Sequence, residues 1–322
     1  MNFEPADTRH TSRRIRAVIA LSRGAVLLSL VAGCGPQFRS PTRIGVTSFD
    51  LNPLPPFLPK RILFQRELEN HLGEPVVFDL MTPRQIRVHL GTGRLKFAMV
   101  SAADYAEIAP AGNAEILAVA TNAHGRTYRQ GLIIVSPQSR IESVSQTKGM
   151  RFHFLPAGDA LNEAAAGALL EAGIARHEID AGILGLGLDT SHINSLEVAK
   201  SVVLENAVGV IDEVDYLSWP ERGGSLMLLA PSKEQVRVIG RTVRVPEGPF
   251  LASLQTPPEL RETMKRYLLE ELNNKAVVLG VPGVSGFAEP IDRSEYEPYF
   301  ALLRKLHPAG KPVTSAAITA SP

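Results

Sequence analysis

The chain has 322 residues, long enough for two domains of ordinary size, and is 44% hydrophobic and 21% charged, the composition of a globular protein. Lys and Arg number 34 against 33 Asp and Glu, so no basic surplus argues for nucleic acid as a partner. No run of eighteen or more uninterrupted apolar residues appears, which excludes a strong membrane-spanning helix.

Arg13, Arg14 and Arg16 precede an apolar stretch from Ala17 to Ala32 that is interrupted by Arg23 and ends in Val31-Ala32-Gly33-Cys34. That is the layout of a secretory signal peptide. Its last four residues resemble the lipobox of bacterial lipoproteins, in which the cysteine becomes the lipid-bearing N-terminus. Cys34 is the only cysteine, so an internal disulfide is excluded and lipidation is its expected fate. Ser12-Arg13-Arg14 hints at twin-arginine export, without the rest of that motif. Residues 1–34 therefore read as signal peptide and 35–42 as a tether.

Strands and helices then alternate. Arg43 to Ser48 predicts a strand. Pro59 to Leu72 predicts a helix with Phe64, Leu68 and Leu72 on one face and Gly73 as its stop. Val76 to Leu80 is a second strand. Thr82-Pro83-Arg84-Gln85 opens a helix with a capping box and ends it at Gly91. Phe97 to Val100 is a strand, and Ser101 caps the helix after it. Ile116 to Ala120 and Leu132 to Ser136 are further strands. A second unit repeats the plan: strand Arg151 to Leu155, helix Leu161 to Ala172, strand Ile183 to Leu186, helix Ser195 to Glu205, and strand Ala207 to Ile211 leading to Asp212. Val236 to Val245 is strand-like. Thr256 opens a helix through Leu272 with a capping box, and Ser294 opens the last helix through Leu306. These late helices are expected to return over the first unit. Residues 307–322 are rich in Pro, Ala, Ser and Thr and are expected to be disordered. The βαβ runs predict two lobes, each a mostly parallel sheet flanked by helices. Residues 43–134 with 236–306 form the first lobe, and residues 135–235 the second.

From Arg43 to about Leu306 the sequence resembles the periplasmic phosphate/phosphite/phosphonate-binding family. Four segments carry the likeness: Leu58 to Gly73 with Pro75 to Phe78; Leu90 to Met99 with Ala103 to Ala106; Tyr128 to Val135 with Ile141 to Val144 and Lys148-Gly149; and Ser191 to Ser195 with Val198-Ala199 and Val208 to Asp212. The resemblance implies a type II periplasmic-binding fold, no cofactor, and a role as the solute-binding lipoprotein of an ABC importer. It implies a small polar ligand, a permease partner and a lipid-anchored extracytoplasmic location. An extracytoplasmic sensor of the same fold, or a secreted enzyme reusing it, are the alternatives.

Ligands of open α/β sheets sit beyond the carboxyl ends of strands. The candidates there are Thr47, Ser48, Ser101, Asp159, Thr190, Ser191, His192 and Asp212. Tyr105 and Tyr128 join them through the family likeness. One segment departs from the family. Its Ser/Thr-rich oxyanion loop is replaced by Pro156 to Asn162, and a carboxylate at Asp159 would repel an anion about 4 Å away by about 1 to 4 kcal/mol. The residues leave three outcomes open: an oxyanion held from the first lobe and Ser191 with Asp159 as a mere cap, a zwitterion whose amine faces Asp159 or Asp212, or a different polar solute. No G-x-S-x-G elbow, Gly-Lys-Ser/Thr phosphate loop or H-E-x-x-H motif occurs, and the 8 His lack metal-ligand spacing, so no enzyme and no metal is expected.

Overall fold

Six strands form the first sheet and four the second. The computed structural model describes residues 41–47, 58–122, 124–156, 158–183, 194–228, 230–273 and 284–308. In the first sheet, β1 (Thr42–Val46) lies between β2 (Val76–Leu80) and β3 (Phe97–Met99), parallel to both. Helix α1 (Leu58–Leu72) makes the crossover from β1 to β2 and buries Phe64 and Leu68, four residues apart on one face. Helix α2 (Pro83–Gly91) has Thr82 as its N-cap in a capping box and turns Ile86 and Leu90 inward. Ser101 caps α3 (Ala102–Ile108). Strand β4 (Ala114–Thr121) completes the expected part of this sheet.

The second sheet runs β6 (Phe152–His153), β7 (Val208–Asp212), β5 (Tyr128–Val135), β8 (Arg237–Pro246). It carries α4 (Ala160–Glu171), α5 (Arg176–Ile183), α6 (Ser195–Glu205) and the short α7 (Glu213–Ser218). After β8 the chain recrosses and enters the first sheet as β9 (Pro249–Ser253), between β3 and β4. Helix α8 (Pro258–Arg266) continues as a π-helical segment from Tyr267 to Leu272, and β10 (Gly286–Ala288) pairs with β4 at the sheet's edge. Helix α9 (Glu297–Leu306) is the last element.

The two-lobed α/β plan matches the expectation, with four differences. Pairing is mixed rather than mostly parallel: β9 is antiparallel to β3 and β4, and β5 is antiparallel to β7 and β8. Strands that arrive from the other lobe have no crossover helix to impose parallel direction. The lobe boundaries also move. All of β5 and β8 belong to the second sheet, so the crossings fall at residues 122–127 and at Glu247-Gly248 instead of at 134 and 236. Ile183 ends a helix instead of beginning a strand; the rest of that expected strand lies outside the described residues. Finally, no capping box forms at Thr256: the helix begins one residue later, with Pro257 at its N-cap, and the Thr256 hydroxyl donates to the Lys96 carbonyl.

The late helices divide between two roles. Met264, Tyr267, Leu268 and Leu272 pack with Phe97 and Phe250 on the first sheet, as expected. Helix α9 reaches the first lobe as well, with Phe300 5.9 Å from Tyr105 of α3 between ring centroids, and docks on α4 of the second lobe. There a Cβ on Gly167 would stand 1.9 Å from Leu302 Cδ1, so only glycine lets the two helices approach this closely. The Tyr299 hydroxyl donates to Glu163 across the same contact at 2.8 Å. No described helix is long and apolar enough to cross a membrane.

Candidate functional site

Three charged side chains meet at one end of the second sheet. Gly131 of β5 pairs with Asp212 at the end of β7, and Arg129 lies two residues earlier, on the same face of β5. The Arg129 guanidinium donates from Nε to Asp212 Oδ2 at 2.7 Å and from Nη2 to Asp159 Oδ2 at 3.1 Å. Each carboxylate uses its other oxygen as a helix cap. Asp212 Oδ1 accepts from the Val214 N–H at 2.9 Å, and Asp159 Oδ1 accepts from the Leu161 N–H at 2.9 Å. Ser195, the first residue of α6, steadies Asp212 further by accepting its backbone N–H at 3.0 Å.

A third carboxylate completes the group. Glu247 sits on the second lobe-to-lobe crossing, where Gly248 is pressed against the first lobe: a Cβ there would lie 2.2 Å from the Val100 carbonyl oxygen. Burial pushes the Glu247 carboxyl up to about 7, against the opposing pull of Arg129. Burial likewise raises Asp212, again against Arg129. For Arg129 burial works against the charged form, but Asp159, Asp212 and Glu247 more than offset it and hold the guanidinium charged. One guanidinium therefore faces three carboxyl groups, an excess of acidic over basic side chains.

The first lobe contributes less charge. Thr47, at the end of β1, is 2% exposed, and its hydroxyl oxygen has no hydrogen-bond partner among the described residues. Ser101 accepts from the Asp104 N–H at 3.1 Å and donates to Asp104 Oδ2 at 2.8 Å; its backbone adjoins Gly248. Tyr105 is 5% exposed and edge-on to Tyr296, with ring centroids 5.2 Å apart. It is part of the hydrophobic core and not of the charged group. Tyr128 stands at the head of β5 with Arg244 stacked 4.4 Å from its ring centre.

Of the residues predicted from sequence, Asp159 and Asp212 are thus brought together, through a residue the sequence reading passed over. Ser48, Thr190, Ser191 and His192 lie outside the described residues, as does Cys34. Two members of the group were missed. Arg129 is the lone charge near the head of the strand Tyr128–Val135, whose second half is apolar, and Glu247 follows Pro246 in a tight link. Both are visible as oddities, but neither has a sequence neighbour that names its partner.

Comparison with known proteins fits this scaffold. Residues 63–296 match the family described as ABC transporter, phosphonate, periplasmic substrate-binding protein. No curated protein sequence matches the chain. Among solved structures, a Xanthomonas citri protein bound to ATP is 20% identical, with a TM-score of 0.52 over 83% of this chain and 98% of its own. A binding protein component of an ABC phosphonate transporter from Pseudomonas aeruginosa is 17% identical, with a TM-score of 0.51 over 83% and 87%. PhnD1 from Prochlorococcus marinus, in complex with methylphosphonate, is 15% identical, with a TM-score of 0.52 over 83% and 99%. At these identities the structural matches establish the fold alone; the family match spans well over half of the sequence, and by it this chain belongs to the phosphonate-type periplasmic substrate-binding proteins of ABC transporters.

Proposed function

We propose that this chain captures a small zwitterion, an oxyanion carrying a cationic amine, and delivers it to an ABC permease without catalysing any reaction on it. The observation behind the ligand class is the charge balance around Arg129. Its Nε and one terminal nitrogen are already engaged by Asp212 and Asp159, and Glu247 stands close by. A bare dianion approaching this group meets excess negative charge, whereas an amine-bearing ligand supplies the missing cation. The unpartnered Thr47 hydroxyl at the end of β1 is a donor available to the ligand's oxyanion.

Calorimetric titration tests this directly. 2-Aminoethylphosphonate should bind at least about 100-fold more tightly than methylphosphonate or inorganic phosphate, a difference of about 2.7 kcal/mol. Equal affinities for the amine-bearing and amine-free ligands would overturn the reading.

The protein is further proposed to be held at the membrane by lipid on Cys34. Each buried CH₂ adds roughly 0.8 kcal/mol, so a multiply acylated N-terminus is firmly anchored. Cys34→Ala should yield an uncleaved precursor or a protein released from the membrane fraction. Unchanged gel mobility together with unchanged membrane partition would refute lipidation.

A further inference from the structure

The last helix touches both lobes, and its two contacts differ in kind. Helices α3 and α4 each begin at a candidate site residue, Ser101 and Asp159 being their N-caps. Helix α9 meets each of them about one turn further on, four residues past the cap: at Tyr105 of α3 and at Glu163 of α4. On the first lobe the contact is ring against ring. Tyr105 is edge-on to Tyr296 at the head of α9, with centroids 5.2 Å apart, and lies 5.9 Å from Phe300. On the second lobe the contact is directional. The fully buried Tyr299 donates its hydroxyl to Glu163 Oε2 at 2.8 Å, and Glu163 Oε1 stands 3.3 Å from His307 Nε2. Leu302 fills the space that Gly167 leaves over α4. The Arg176 guanidinium of α5 donates to the Leu306 carbonyl, one of the last-turn acceptors that a helix cannot satisfy by itself.

Any change in the angle between the lobes must make one of these two contacts give. The ring contact is the one that yields. Apolar surfaces attract without a fixed direction, so Tyr296 and Phe300 can shift over Tyr105 at little cost. Separation from α4 would instead strip a buried hydroxyl of its acceptor and open the Leu302/Gly167 fit. We propose that α9 moves as part of the second lobe and slides across Tyr105 of α3 when the lobes change their angle, so that Glu163, by fixing α9 to α4 through Tyr299, sets how far the lobes part. Glu163 is thereby a positioning residue. It touches no ligand, and its role is the same whatever solute is bound.

The test is pulsed electron double resonance on the full chain carrying Cys34→Ser, which leaves introduced cysteines as the only sites for spin labels. Labels go in pairs at three exposed positions: Val88→Cys on α2, Leu204→Cys on α6 and Arg304→Cys on α9. The Leu204–Arg304 pair should give one narrow distance distribution, while Val88–Arg304 should be as broad as Val88–Leu204. Any other pattern, three equally narrow distributions included, overturns the sliding. In a second arm, Glu163→Ala should move the Val88–Leu204 distances outward by at least about 1 to 2 Å, the scale of a helix shift at a packed interface. Glu163→Gln keeps an acceptor for Tyr299 and should restore them. Unchanged distances in Glu163→Ala, even with a lowered melting temperature, overturn the positioning role, and so does failure of Glu163→Gln to restore them. If Glu163→Ala does not fold, Tyr299→Phe removes the same hydrogen bond at nearly constant volume and is read in the same way.

Discussion

Arg129→Met is expected to lower the melting temperature by on the order of 10 °C at pH 8, and by much less at pH 5. The side chains of Arg129, Asp159 and Asp212 are 27%, 18% and 10% exposed, so solvent screens these pairs only weakly. Removing one partner of such a pair typically costs 3 to 5 kcal/mol, because the charges left behind have neither water nor a counter-ion. Here two carboxylates lose their guanidinium at once, and Glu247 loses the cation that draws its pKa down. The pH dependence follows from the sign of the shifts. Asp212 and Glu247 are already raised by burial, and losing Arg129 raises them further. A carboxyl raised above its unfolded value favours the folded state when protonated, and that advantage is lost as pH climbs through the folded pKa. The penalty should therefore fade on acidification as the carboxyls take up protons. Thermal denaturation of both proteins between pH 5 and 8 checks this. A melting drop that is the same at every pH would show that Arg129 acts by packing and not by charge.

Such a network is poorly legible in a sequence because its members are far apart. Arg129 is 30 residues from Asp159 and 83 from Asp212. Read alone, Asp159 is a negative charge set where the family binds an anion. In the fold it is both a helix cap and the partner of an arginine, which makes it compatible with a ligand carrying its own cation. What the sequence does disclose is local: the capping box at Thr82, the cap at Ser101, and the Phe64/Leu68 face of α1 are all short-range patterns and all appear in the structure. Long-range pairing is not disclosed. Residues 249–253 form a central strand buried along its whole length, but a four-residue apolar run that begins with proline and ends before Ser253 carries no period that assigns it to a sheet. Strand β10 has three residues and exists through its partner β4. Helix α9 shows an apolar face at Tyr299, Phe300, Leu303 and Leu306, which predicts burial but not the lobe it is buried against. At Thr256 the helix starts one residue later than the capping pattern implies, with Pro257 at the N-cap, and the hydroxyl reaches a carbonyl 160 residues away.

The same geometry yields the sharpest expectation for ligand choice. Asp212→Asn should weaken binding of 2-aminoethylphosphonate by about 10- to 100-fold while strengthening binding of methylphosphonate. The substitution is close to isosteric, and the amide oxygen can still accept the Val214 N–H, so α7 keeps its cap. What changes is charge. One of three carboxylates around Arg129 is neutralised, and the Nε donor now spent on Asp212 Oδ2 at 2.7 Å becomes available to an oxyanion. Loss of a charge-assisted hydrogen bond to the ligand's amine is worth about 1.5 to 3 kcal/mol, which is the expected fold-change. For methylphosphonate the same substitution removes a repelling charge and frees a donor, so its affinity rises. Opposite movements of two ligands differing by an amine separate an electrostatic role from damage to the site, which would weaken both together. Calorimetry of both ligands against both proteins at pH 7.5 gives the answer, and parallel changes, in either direction, would mean that Asp212 serves the helix and Arg129 but does not face the ligand.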